Sequence, residues 1–353
     1  MRAPVWWSGD PSPPRLLRGP LRVAAGVFAA GTFVHRQVRA SSLAPARRLP
    51  CRVVSVGSIV AGGAGKSPTA AWLAERLHLR GHRVALATRG YAGRAREGVH
   101  VLSDGQRIRS DPTGLGDESL VLAAHAPGVP VLIARDRGLA GLRAVGAFDS
   151  EILVLDDGFQ HHRLHRDVDI VTLDGDQGLG NGHVIPLGPM REPVSALARA
   201  IAIGVVDGPL DADCEARVDE HAPHALRYRA RRRPVSLRRL RDGAAADLGW
   251  LRGKEVGVLV GVGHPPSVSR TVESLGAKVI ARRVVPNHHR YRARDLRGLS
   301  KQAAIWITTE KDAGKILPSW VGAVDLRVVG IEVEVEEEAL LLELVEARLG
   351  VGL

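Results

Sequence analysis

Residues 53–68 read Val53-Val54-Ser55-Val56-Gly57-Ser58-Ile59-Val60-Ala61-Gly62-Gly63-Ala64-Gly65-Lys66-Ser67-Pro68. An apolar run, a glycine-rich turn and a Lys-Ser pair that opens a helical pattern make a strand, a phosphate-binding loop and a helix start. Glycines let backbone N–H groups converge on phosphate oxygens, and the helix adds the positive end of its dipole. In this reading Gly62, Gly63, Ala64, Gly65, Lys66, Ser67 and Pro68 form the nucleotide-binding loop. Lys66 reaches the β- and γ-phosphates, and the Ser67 hydroxyl is a Mg²⁺ ligand. Pro68 fits the first helical turn, where a missing N–H costs little. The loop is a variant, because the strict G-x-x-x-x-G-K-[ST] spacing asks for glycine at position 60 and the chain has Val60.

Outward from this loop the pattern alternates. Apolar runs at Val53–Val56, Val84–Ala87, Val129–Ala134, Ile152–Leu155 and Ile170–Leu173 predict short buried strands. Between them lie helical patterns such as Ala70, Leu73, Ala74 and Leu77, closed by Gly81. Strands alternating with helices predict an α/β fold, a P-loop NTPase-like doubly wound parallel sheet. The run Glu151-Ile152-Leu153-Val154-Leu155-Asp156-Asp157-Gly158 delivers two carboxylates at the end of a strand, where ligands of parallel sheets bind. Asp156 and Asp157 are therefore the candidate metal ligands, one holding Mg²⁺ directly or through water and the other orienting water or substrate.

Around Val205–Arg241 the pattern weakens into a Pro-, Asp- and Arg-rich stretch, and Val256–Val260 starts a new apolar strand. The expected organisation is an N-terminal helix over 1–45, a P-loop kinase domain over 46–205, a linker over 206–250 and a second, smaller α/β domain over 251–353. Before the P-loop, Val23–Ala30 is apolar between Arg18 and Arg22 on one side and His35, Arg36 and Arg39 on the other. A bilayer span needs about 20 apolar residues, so the segment reads as an interfacial, membrane-associated helix. Packing on the protein's own core is the competing expectation.

The chain of 353 residues carries a formal net charge of +11, which admits nucleic acid, an anionic membrane or a phosphorylated substrate as partner. Arginines are spread along the whole chain without an RNA-binding signature or zinc-finger spacing, so no nucleic-acid partner is expected. Cys51 and Cys214 are too few for a disulfide framework, and a reducing compartment is expected. His161 and His165 would share a face if His161-His162-Arg163-Leu164-His165 were helical, but no H-E-x-x-H motif accompanies them.

Seven landmarks, in order, resemble the tetraacyldisaccharide 4'-kinases, which phosphorylate the disaccharide precursor of lipid A. They are Trp7-Ser8-Gly9, the Gly62–Pro68 loop, Arg89-Gly90-Tyr91, Gly116-Asp117-Glu118, Asp156-Asp157-Gly158-Phe159-Gln160-His161, Arg191-Glu192-Pro193 and Thr309-Glu310-Lys311-Asp312. The resemblance implies a lipid kinase that uses ATP and Mg²⁺ on the 4'-hydroxyl of a glycolipid at the cytoplasmic face of the inner membrane, with no obligate protein partner. It also implies that Asp117 acts with a histidine to activate the sugar hydroxyl. That histidine matches His288 in Asn287-His288-His289-Arg290-Tyr291, where Asn287 replaces the family's aspartate and His289 stays open as the alternative. A nucleotide switch or metal-delivery GTPase shares such a loop, but guanine recognition asks for Asn-Lys-x-Asp, and the chain reads Thr309-Glu310-Lys311-Asp312.

Overall fold

A computed structural model describes residues 4–8, 12–40, 45–62, 64–90, 98–109, 117–262, 265–286 and 289–351 of the chain. A 3₁₀ turn at Val5–Ser8 precedes helix α1 (Arg15–Ala40). The turn is pinned to residues 181–187: Trp7 Nε1 donates to Pro186 O (3.2 Å), Asn181 Nδ2 to Trp6 O (3.0 Å) and Asn181 N to Trp7 O (2.9 Å). Leu16, Val23, Val27, Val34 and Val38 recur at intervals of seven and four residues, which places them on one face of α1. That face is exposed, from 92% at Leu16 and 69% at Val23 and Val27 to 39% at Val38, whereas Ala25 on the other side is buried. Among the described residues no helix is long and apolar enough to cross a membrane.

The chain then runs through β1 (Arg52–Gly57), α2 (Lys66–Leu79), β2 (Val84–Thr88), β3 (His100–Asp104), α3 (Asp117–Ala124), β4 (Pro130–Ile133), α4 (Arg137–Phe148), β5 (Ile152–Asp156), β6 (Val168–Asp174), β7 (Ala202–Val206), α5 (Ala212–His221) and β8 (Leu226–Arg239). These strands lie in the order β3-β4-β2-β5-β1-β6-β7-β8, all parallel except β3 against β4. β1, β2, β5 and β6 are buried almost throughout, as parallel strands with helices on both faces must be. Val53, Ala85 and Leu153 form a core with Ala140 and Ala144 of α4, and α2 packs against the same strands.

The chain continues as β9 (Ala245–Ala246), β10 (Glu255–Val260), α6 (Pro265–Ser274), β11 (Lys278–Val284), β12 (Ile305–Thr309), α7 (Glu310–Ala313), β13 (Asp325–Val335) and α8 (Glu338–Leu349). Here β11-β10-β12-β13 run parallel around a second core that includes Trp306, Leu299 and Tyr291. Contacts divide the chain into a larger unit of Ala3–Leu115, Leu122–Arg231 and Val333–Leu353 and a smaller one that includes Gly116–Val121 and Arg232–Glu332.

The expected boundaries differ from this in two places. The stretch 206–250, expected to be a linker, carries α5 and all of β8, and β8 pairs with β7 in parallel register over Leu226–Ala230. Its arginines alternate with buried Tyr228 and Ala230, so it is a half-buried strand with charges on its open face. The C-terminal helix α8, expected in the second domain, belongs to the larger unit. Glu346 holds it there, accepting from Arg80 Nε and Nη2 (2.7 and 2.8 Å) and standing 3.0 Å from His82 Nε2.

Val60 explains the departure from the strict P-loop pattern. It forms an antiparallel bridge with Met190, flanked by Ala61 N to Pro189 O (2.8 Å) and Arg191 N to Ile59 O (2.6 Å). Its side chain is 2% exposed in a core with Phe159 and Met190. A glycine would supply the strict motif but lose this anchor. Val60→Gly should therefore destabilise the protein by about 2–4 kcal/mol through lost burial and added chain entropy. Urea unfolding measures it, and an unchanged midpoint would mean that the bridge does not hold the loop.

Candidate active site

The parallel register of β1 with β5 sets Val56 opposite Asp156, so the P-loop and the carboxylates leave the sheet at the same edge. Gly57 is required at the end of β1, because a Cβ there would lie 2.6 Å from Phe159 Cβ and 2.9 Å from Phe159 N. Gly62 (φ 138°) and Gly65 (φ 73°) take backbone conformations that glycine adopts without strain. Gly65 caps α2, whose first residues are Lys66, Ser67 and Pro68, and Ala64 is buried beneath the turn. Lys66 Nζ donates to Gly62 O (2.8 Å), folding the ammonium over its own loop. Gly63 lies outside the described residues.

Asp156 is 6% exposed, and its Oδ2 accepts from Thr88 Oγ1 (2.9 Å) at the end of β2. Asp157 follows in a left-handed conformation (φ 51°), and both of its oxygens accept from Arg191 Nη1 (2.8 and 2.9 Å). Burial works against the Asp157 charge, but Lys66 and then Arg191 overcome it and hold the carboxyl below the usual carboxylate range. Lys66 and Asp157 are thus within each other's field. The donors at this edge, the carboxylates of Asp156 and Asp157 with the hydroxyls of Ser67 and Thr88, are all hard oxygens, a set that fits Mg²⁺.

Beside Asp157 a cavity of ≈ 550 Å³ is lined by Phe28, Gly31 and Thr32 of α1 together with Arg89, Arg137, Gln160, His161 and Arg191. Gln160 ties its floor together, donating from Nε2 to Ser58 O and to Glu192 Oε1 (both 3.1 Å). Glu192 in turn accepts from Arg199 Nη1 and Nη2 (both 3.0 Å), and the Arg199 guanidinium stacks 4.1 Å from the Phe159 ring centroid. Burial, reinforced by the Arg137 charge, pushes His161 down to about 4, so its imidazole is neutral near pH 7. His161 Nε2 is buried without a hydrogen-bond partner among the described residues. Residues 157–167 are turns rather than a helix, so His161 and His165 share no helical face.

Asp117 is the first residue of α3, and its side chain lies outside the described set, as does His288. Thr88, Arg137 and Arg191 were not singled out as site residues by sequence reasoning. Thr88 carried the same signal as Asp156, a polar residue ending a buried parallel strand. Arg191 stood in a family landmark without a role, and nothing local distinguished Arg137 from the other arginines. Cys51 and Cys214 are free and buried, and burial pushes the Cys51 thiol up to about 11, so neither is suited to act as a thiolate.

A family model described as tetraacyldisaccharide-1-P 4'-kinase matches residues 17–350. The tetraacyldisaccharide 4'-kinase of Anaeromyxobacter dehalogenans is 40% identical, over 96% of this chain and 93% of its own length. That of Syntrophus aciditrophicus is 36% identical, over 96% of each chain. A crystal structure of the LpxK of Aquifex aeolicus in complex with ATP superposes with a TM-score of 0.74 at 26% identity, covering 94% of this chain and 99% of that one. Similarity along almost the whole length, in sequence and in structure, makes this chain a member of the tetraacyldisaccharide-1-P 4'-kinase family.

Proposed function

We propose that the chain transfers the γ-phosphate of ATP to the 4'-hydroxyl of a tetraacyldisaccharide 1-phosphate, a phosphorylation of lipid A synthesis. The observation that carries this reading is the convergence, at one sheet edge, of the Lys66 helix start with Asp156 and Asp157, in a chain that belongs to this kinase family. Ser67, Asp156 and Asp157 are the residues that would hold Mg²⁺, which when bound supplies positive charge to the phosphates. Lys66 exchanges the Gly62 carbonyl for phosphate oxygens and offsets their charge. Arg191, already paired with Asp157, keeps that carboxylate ionised and aimed. Asp117 and His288 are proposed to accept the proton of the attacking hydroxyl. Neutral His161, facing the cavity, offers its buried nitrogen to a sugar hydroxyl.

The same cavity links chemistry to location. Its α1 wall brings a lipid-facing helix to the edge of the phosphate site, so a sugar headgroup can reach Asp157 while its acyl chains stay along the apolar stripe. We assign that stripe to the bilayer interface at the cytoplasmic face of the inner membrane, with Arg15, Arg18 and Arg22 available to lipid phosphates. A guanine-nucleotide switch is disfavoured by the place of Asp312. It is wholly buried and accepts from Gly261 N (2.9 Å) and Thr309 Oγ1 (3.0 Å), so it is engaged within the smaller unit rather than presented to a base.

Two experiments test the assignment. With γ-labelled ATP and a tetraacyldisaccharide 1-phosphate, label should enter the lipid fraction, and Lys66→Ala should lower turnover by roughly 10³-fold without loss of fold. Near-normal turnover in that variant would remove the lysine from the phosphate site. For the membrane assignment, deletion of residues 1–40 is a poor tool, because it also removes the Trp6 and Trp7 contacts to 181–187. Val23→Asp combined with Val27→Asp leaves those contacts in place. The pair should lower partitioning onto anionic vesicles while ATP binding is retained, and unchanged partitioning would count against the stripe as the anchor.

A further inference from the structure

Ala61, at the entry to the phosphate loop, has both of its backbone polar groups engaged by the segment that follows β6. Its N–H donates to Pro189 O (2.8 Å), and its C=O accepts from Gln177 Nε2 (3.3 Å). The peptide that joins Ala61 to Gly62 is trans. In a trans peptide the C=O of one residue and the N–H of the next point to opposite sides of one plane. The Gln177 hydrogen bond to Ala61 O therefore sets the direction of Gly62 N–H, the first glycine amide of the loop. The two residues are also in close contact, because a Cβ on Gly62 would lie 2.9 Å from Gln177 Oε1.

Gln177 is itself held in place. Asp174 ends β6 and is 3% exposed, and its Oδ1 accepts from Asp176 N and Gln177 N (both 3.2 Å). The Asp174 carbonyl accepts from Gly178 N (2.7 Å), which closes 174–178 as a turn. β6 is the parallel neighbour of β1, with Val171 opposite Gly57, so this turn leaves the sheet at the same edge as the phosphate loop. Gly175 N donates to Val206 O (2.7 Å) at the end of β7, and the Val206 side chain stands against Gly65, where a Cβ would lie 3.2 Å from Val206 Cγ2. Both Gly62 and Gly65 are thus backed by the ends of β6 and β7. The carboxylates of Asp156 and Asp157 come from β5, on the other side of β1.

We propose that Gln177 is a positioning residue of the nucleotide site: its side-chain amide holds the Ala61–Gly62 peptide so that Gly62 N–H is turned toward a phosphate oxygen. This rests on the reading of 62–68 as the ATP-binding loop. Gln177 acts through the loop and not on the phosphate. When ATP enters, Lys66 leaves the Gly62 carbonyl, while the Gln177 bond to Ala61 stays, so part of the loop is ordered before the ligand arrives.

Full-length Gln177→Met and Gln177→Glu test this against the parent in three measurements: calorimetric titration with ATP in the absence of lipid, hydrogen exchange of the nucleotide-free peptide spanning 57–68, and urea unfolding. Gln177→Met keeps the length of the side chain without its N–H. It should bind ATP about five- to tenfold more weakly, the effect of one lost hydrogen bond, with faster loop exchange and an unchanged unfolding midpoint. Gln177→Glu sets a carboxylate against Ala61 O and near the phosphates, and should weaken binding further, by roughly 10²-fold. Parent-like ATP affinity in Gln177→Met would overturn the proposal, even if Gln177→Glu were weak, because charge alone would then be at work. Weaker binding with unchanged loop exchange would also overturn it, by making Gln177 a direct phosphate ligand. So would a lowered unfolding midpoint with unchanged affinity, which marks a purely structural role. A parent protein that binds no ATP would sink the reading of the loop itself, whereas a parent that binds ATP as tightly as both variants would sink only the positioning role.

Discussion

The parallel pairing of β1 with β5 is the constraint on which the site depends. It is a backbone register, Val56 against Asp156, and it delivers a cation-bearing loop and two carboxylates to one edge before any side chain has made a contact. Placing acids beside a lysine in a buried setting would be costly if either went unmatched. Arg191 pairs with Asp157, Thr88 donates to Asp156, and Lys66 lies within the field of Asp157. The loop itself is tied at Val60 and Ala61 to residues 189–190, so its glycines provide approach to a ligand without leaving the turn loose.

Part of the arginine content has a local structural use and is not surface charge for a polyanion. Several arginines are matched at short range: Arg166 with Asp169 (2.7 Å), Arg199 with Glu192 (3.0 Å), Arg80 with Glu346 (2.7 Å) and Arg231 with Glu334 (2.8 Å). The exposed pairs contribute little to stability. The Arg199–Glu192 pair does more, because it lies under Phe159 and Gln160 and fixes the floor of the cavity. Guanidinium groups suit this use, since they stack on a ring and bridge two oxygens at once.

Much of this was legible in the chain. Strands β1, β2, β5 and β6 were readable because complete burial in a parallel sheet leaves an uninterrupted apolar run, and the loop and the Asp156-Asp157 pair stand at their ends. What escaped was whatever depends on a partner far along the chain. Val60 looked like a defect in a motif until Met190, 130 residues on, was seen beside it. β8 was hidden because its arginines read as solvated charge, while the glutamate that meets Arg231 lies at 334. His161 and His165 were weighed for a shared helical face, but Gly158 and the turns after it break that geometry. Arg137 belongs to the cavity only through the fold, and no spacing marks it.

The return of α8 to the larger unit has a consequence for biosynthesis. The chain leaves that unit along β8 and re-enters it along β13, so the main segment of the smaller unit, Arg232–Glu332, is inserted between two segments of the larger one. Glu346, which receives Arg80 and His82, is translated after the whole of the smaller unit. Domains fold as units during synthesis, N-terminal first. Here the order is inverted at the end: the inserted unit has all its residues before the nucleotide-binding unit does. The clamp on Arg80 and His82 can close only when α8 has emerged from the ribosome, so a chain truncated before α8 would carry the whole phosphate loop without this brace.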